Sequence, residues 1–169
     1  MNKRGAYFFV LDALIGSAIF LISVVMIINS SINTPTTGPS YLLSEDIMTL
    51  LLNTPVIEFR DPYLSQIAKQ GQITNLQQSL FHQIAEFHYT GKSGYATNLT
   101  RSIIESVLPE QFGMNYSIIV DGVPTTIYSR LVNSIPEATF QLSSRKITFL
   151  TINQTEYFGP DITELRIWN

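Results

Sequence analysis

The chain has 169 residues and a mass of 19.0 kDa, enough for one modest domain beside a short additional element and too little for two large domains. Ten basic against thirteen acidic residues leave a net charge of −3, which gives no electrostatic reason to expect a nucleic-acid partner, and the absence of cysteine excludes disulfides, thiolate metal sites and cysteine nucleophiles. Only 14% of residues are charged, against about 25% in soluble domains, and the mean hydropathy is +0.17, so composition predicts a segment placed in lipid.

That segment is Ala6–Ile28, an almost uninterrupted apolar run whose single charge is Asp12. As a helix it measures about 34 Å, the length of a bilayer crossing, and it is longer than the about 7–15 apolar residues of a removable secretory signal. Lys3 and Arg4 precede it and the next basic residue is Arg60, so the positive-inside bias predicts a cytoplasmic N-terminus and an extracytoplasmic segment from residue 30 to 169. Membrane lipid is then a partner. Asp12 costs at most about 2.5–3.5 kcal/mol on insertion scales. Either the inner interface tolerates it or a cation on a neighbouring chain pairs with it. Ala13 and Ser17, with Gly16 close by, give the small-residue spacing that lets helices approach.

The opening Lys3-Arg4-Gly5-Ala6-Tyr7-Phe8-Phe9-Val10-Leu11-Asp12 resembles the class III signal peptide of type IV pilins, above all of archaeal pilin-like proteins. The resemblance covers roughly the first 30 residues. It implies cleavage after Gly5 by a prepilin-type peptidase, a new amine on Ala6, and pairing of that amine with Asp12 of a neighbouring helix in a filament core. Asp12 would stand at the seventh mature position, where the family usually has its acid at the fifth.

Residues 33–40, with Pro35, Gly38 and Pro39, read as a linker. Tyr41–Leu52 places Leu43, Ile47, Leu50 and Leu51 at helical spacing before Pro55. A short helix follows Asp61-Pro62 and ends at Gly71, and another, capped by Thr74, carries Leu76, Leu80, Ile84 and Phe87 up to Gly91. Thr97–Leu108 forms a further helix closed by Pro109. From about Phe112 the pattern turns to strands: a hairpin around Asp121-Gly122, then Ala138–Leu142, Lys146–Ile152 and Ile162–Trp168, separated by Ser143-Ser144 and by Gly159-Pro160-Asp161. Helices first and strands last predict an α+β head with an antiparallel sheet. The organisation expected is a basic segment and transmembrane or assembly helix (1–32), the linker (33–40), a helical part (41–110) and a β part (111–169).

Nothing in the sequence carries a catalytic constellation. His82 and His88 lie about 240° apart around one helix and do not face one metal, while Glu86 stands at i+4 from His82 for a surface pair. Thr90-Gly91-Lys92-Ser93 echoes the end of a phosphate loop without its first glycine or its strand, and Ser143-x-x-Lys146 has an acylating-serine spacing without companion motifs. No cofactor or metal is expected. Asn29, Asn98, Asn115 and Asn153 stand in Asn-x-Ser/Thr tripeptides, of which Asn98, Asn115 and Asn153 are the glycosylation candidates. The reading is a pilin-like structural subunit of a cell-surface filament or membrane-anchored assembly, acting in assembly and adhesion with copies of itself or other pilin-like subunits. Its processing residues are Gly5 and Ala6, and its assembly residues Asp12, Ala13, Gly16 and Ser17. The alternative is a single-pass membrane protein with an external ligand- or partner-binding domain.

Overall fold

The computed structural model describes residues 13–26, 42–132, 138–152 and 156–169. The chain divides into two units, 1–40 and 41–169, each taken here by itself. In the first, a helix α1 occupies 13–26. Among the described residues no helix is long and apolar enough to cross a membrane. This corrects the transmembrane helix in the expected fold class and with it the single-pass, cytoplasmic-to-extracytoplasmic localisation.

The second unit is α+β, with the order α2 (Leu43–Asn53), α3 (Pro62–Lys69), α4 (Leu80–Tyr89), α5 (Ser93–Val107), β1 (Gly113–Val120), β2 (Val123–Arg130), β3 (Gln141–Ile152) and β4 (Glu156–Trp168). Asp61 starts α3 because its carboxylate accepts the Leu64 N–H at 2.9 Å, and Pro62 occupies the first turn, where its missing N–H costs nothing. Ser79, not Thr74, starts α4, accepting the His82 N–H. The segment before it is held in a turn by Gln78 N–H donating to Asn75 O, Val56 N–H to Gln78 O and Ile57 N–H to Leu76 O, while the Asn75 carboxamide takes the Gln77 N–H. These bonds outcompete another helical turn, so Leu76 lies outside the helix and exposed. The fourth helix is the core of this layer: Leu80, Phe81, Ile84, Ala85 and Phe87 are all buried.

The four strands form one antiparallel sheet in the order β2-β1-β4-β3. Asp121 and Gly122, at φ 51° and 80°, make the tight β1–β2 turn. One sheet face packs on the helices through Met114, Tyr116, Ile118, Leu165 and Ile167. Between Ser143-Ser144 and Ile152 no break occurs. The two serines, read as a turn, remain in β3 because Ser143 donates to Glu164 at 3.0 Å and Ser144 to Glu45 at 2.5 Å. Cross-strand and helix partners override their local preference. The Gly159-Pro160 breaker is likewise absorbed: Thr148 pairs with Asp161 and Leu150 with Phe158, so Phe149 alone faces two β4 residues and the irregularity sits in β4. Burial along β3 accordingly alternates without a slip, odd-numbered residues exposed and even-numbered ones turned to the helices. At the other end Trp168 lies over Gly113, where an added Cβ would fall on the indole ring.

Candidate functional site

Within the first unit, 13–26 contains no charged residue. Leu14, Ile15, Ile19, Phe20, Leu21, Ile22, Val25 and Met26 are each 49–70% exposed. Ser17 Oγ donates to Leu14 O and Ser23 Oγ to Ile19 O, both at 2.9 Å, so the hydroxyls are satisfied by the helix itself and ask for no water. Ala13, Gly16 and Ser17 share one side of this helix with Phe20, and a Cβ added at Gly16 would meet nothing within 4 Å. Gly5, Ala6 and Asp12, the processing and pairing residues, lie outside the described residues.

On the sheet face turned away from the helices, Glu164 is 2% exposed although it belongs to the outer row. Its carboxylate accepts from Arg145 Nε at 2.7 Å, Arg166 Nε at 2.9 Å and Ser143 Oγ at 3.0 Å. The two arginines roof it while remaining 60% and 41% exposed at the side chain. Burial alone would raise the Glu164 carboxyl, but the arginines and Ser143 outweigh it and hold the group below its ordinary range. With Gln141 these side chains line an open groove of about 540 Å³. Arg145 engages Glu164 through Nε, which leaves its terminal guanidinium edge toward solvent. Sequence reading passed over this cluster. Its signal was the alternation of Arg145 with Ser143 and of Arg166 with Glu164 on two strands whose register was not yet known.

On the helix-facing side, Glu45 of α2 takes Lys146 Nζ as well as Ser144, and this pairing holds its carboxyl low. Ser143 and Lys146 therefore point to opposite faces and do not form an acylating pair. Tyr89 donates its hydroxyl to Asp161 and stacks on Phe158 at 4.7 Å, tying α4 to the β3–β4 hairpin. Burial and that bond push the Tyr89 hydroxyl far up.

The histidines separate. His82 Nδ1 contacts Ser79 Oγ at 2.9 Å inside the cap of its own helix, and burial lowers its pKa. Glu86, expected to pair with His82, instead accepts from Thr74 Oγ1 at 2.9 Å and Gln78 Nε2 at 2.5 Å. Both donors come from the turn segment that precedes α4. His88 is lowered by burial, offset in part by Asp161. Among the described residues no three His, Asp or Glu side chains are placed to share a metal ion. The Thr90–Ser93 stretch follows a helix, not a strand: Gly91, at φ 71°, ends α4, and Ser93 opens α5. With Tyr63, Tyr95 and Asn98, residues 91–94 line a groove of about 450 Å³.

Of the glycosylation candidates, Asn98 is exposed on α5 but the Thr100 hydroxyl of its tripeptide is buried and donates to Ala96 O. Asn115 lies in β1 with a buried Oδ1 that has no partner, beside buried Ser117. Asn153 lies outside the described residues. No protein-family model, no curated protein and no solved structure matches the chain. The pilin resemblance thus stands on the residues from Lys3 to Asp12 and the apolar run behind them.

Proposed function

We propose that this protein is a pilin-like structural subunit that assembles with copies of itself through its N-terminal helix and displays the α+β unit for adhesion. The observation that carries the reading is α1, a helix with large apolar side chains exposed and no charged face. A helix apolar on all sides is stable in water only when other surfaces cover it. Each of its large side chains gains about 1.5–3 kcal/mol on burial, before the entropic cost of association. The same helix from neighbouring copies supplies matching cover, with Ala13, Gly16 and Ser17 allowing close backbone approach and more van der Waals contacts.

Sedimentation velocity on the full chain over a wide concentration range tests this. The expected result is concentration-dependent association that is strongly reduced when Ile15→Lys and Ile19→Lys are combined, with the thermal transition of the α+β unit unchanged. Full chain that stays monomeric, or a double variant that associates equally well, would overturn the proposal. N-terminal sequencing of native protein addresses the family resemblance separately, the expected first residue being Ala6.

A further inference from the structure

Among the described residues, the outer edge of β3 has no strand partner. In the order β2-β1-β4-β3 it forms one end of the sheet, and among the described residues no backbone hydrogen bond other than those to β4 reaches Gln141–Ile152. At the opposite end, β2 is blunted by Pro124, which has no N–H to offer, and by Thr97, whose hydroxyl occupies the Ile127 carbonyl at 2.8 Å. An exposed edge is usually guarded by charged side chains, bulges or proline. The third strand has no proline, and the bulge opposite Phe149 lies in β4, leaving β3 regular. Its two charges are each paired within the unit, Arg145 with Glu164 and Lys146 with Glu45, their side chains 60% and 31% exposed. The exposed outer row also carries Ile147 and Phe149, 73% and 55% exposed.

We propose that β3 pairs with β3 of a second copy, antiparallel about a twofold axis at Ile147, so that two sheets join into one. The strand selects this partner and register itself. Twofold pairing keeps odd residues opposite odd ones, and of the possible centres Lys146 and Ile147 give the longest overlap. Centring on Lys146 sets Lys146 opposite Lys146, and centring on Arg145 sets Arg145 opposite Arg145; like charges directly opposed are unfavourable. Centring on Ile147 sets Ile147 on Ile147, Ser143 opposite Thr151, Lys146 opposite Thr148, and Arg145 opposite Phe149. The free guanidinium edge of Arg145 then meets an aromatic ring instead of another cation. This contact adds to the helix-mediated assembly above and does not depend on it.

Disulfide trapping tests the register, because the chain has no cysteine and an introduced thiol is alone. Opposed residues of an antiparallel pair are about 4.5–5.5 Å apart at Cα, within disulfide range. Under mild oxidation of the full chain, Ile147→Cys should give covalent dimer. Ser143→Cys combined with Thr151→Cys should do the same, and Ser143→Cys alone should give several-fold less. Phe149→Lys in the Ile147→Cys chain should reduce the trapped dimer by placing a cation opposite Arg145. Each variant is made with and without Ile15→Lys/Ile19→Lys. Dimer in both backgrounds supports the contact, and dimer only where α1 is intact overturns it as an independent contact. Absence of dimer in both, or trapping by Ser143→Cys alone as efficient as by Ile147→Cys, overturns it. Helix-dependent sedimentation is unaffected by that failure, so the two readings fall separately.

Discussion

Replacing Glu164 by glutamine tests the outer-face cluster at its centre. The carboxylate is buried, and its oxygens accept from two arginines and a serine at 2.7–3.0 Å. Glutamine keeps the volume, removes the charge, and turns one acceptor into a donor aimed at guanidinium groups. Losing one partner of a fully buried pair costs about 3–5 kcal/mol. Here both arginines retain access to water, which lowers the expected loss to about 1.5–2.5 kcal/mol at neutral pH. For a unit of this size that is a fall of about 5–10 °C in Tm. Because the folded pKa lies below the ordinary value of 4.5, the carboxylate's contribution is fully present above about pH 4.5 and is lost as the pH falls through the folded value. Thermal unfolding of both chains from neutral to acid pH should show the gap closing in acid, where the protonated acid resembles the amide. Equal stability at neutral pH, or a gap that persists undiminished at about pH 2, would refute the reasoning.

Three further outcomes follow from the fold. Gly113→Ala should cost about 2–4 kcal/mol in urea unfolding, since its methyl would displace the Trp168 ring from a packed position; a loss below about 1 kcal/mol would contradict the close approach. Asp61→Ala should cost about 1–2 kcal/mol, because one oxygen caps α3 and the other accepts from Ser102 on α5 at 2.6 Å, and Asp61→Asn should recover part of the loss by keeping the cap. Burial depresses the pKa of His82 and His88, so their neutral forms favour folding above the ordinary value of 6.5 and that contribution declines as the pH falls below it. His82→Gln should make the stability profile flatter in that window.

The helices of the second unit and the β1–β2 hairpin were legible because local signals and tertiary environment agree: Asp61-Pro62 opens α3, and Asp121-Gly122 makes the turn. The failures are local preferences overruled at a distance. Ser143 and Ser144 look like a turn until Glu164 and Glu45, far away in sequence, hold them in a strand. Thr74 looks like a cap until backbone bonds from the 54–57 segment keep the residues after it in a turn outside the helix. The Arg145–Glu164–Arg166 cluster was invisible for the same reason, since strand register decides which charges meet. Ala6–Ile28 was read by hydropathy as a membrane span, whereas among the described residues no helix is long and apolar enough for one. Hydropathy measures how strongly a segment avoids water, and it leaves open what covers it.

The order β2-β1-β4-β3 places the last of the four strands to be made in the interior of the sheet. Until β4 emerges, the nascent chain holds a β1–β2 ribbon and a solitary β3 with no neighbour to bond, so the sheet cannot close before β4 is made. The single tryptophan, seated near the end of that strand and almost wholly shielded, becomes an optical clock for the event. Its emission should shift to the blue in one step, when the central slot is filled.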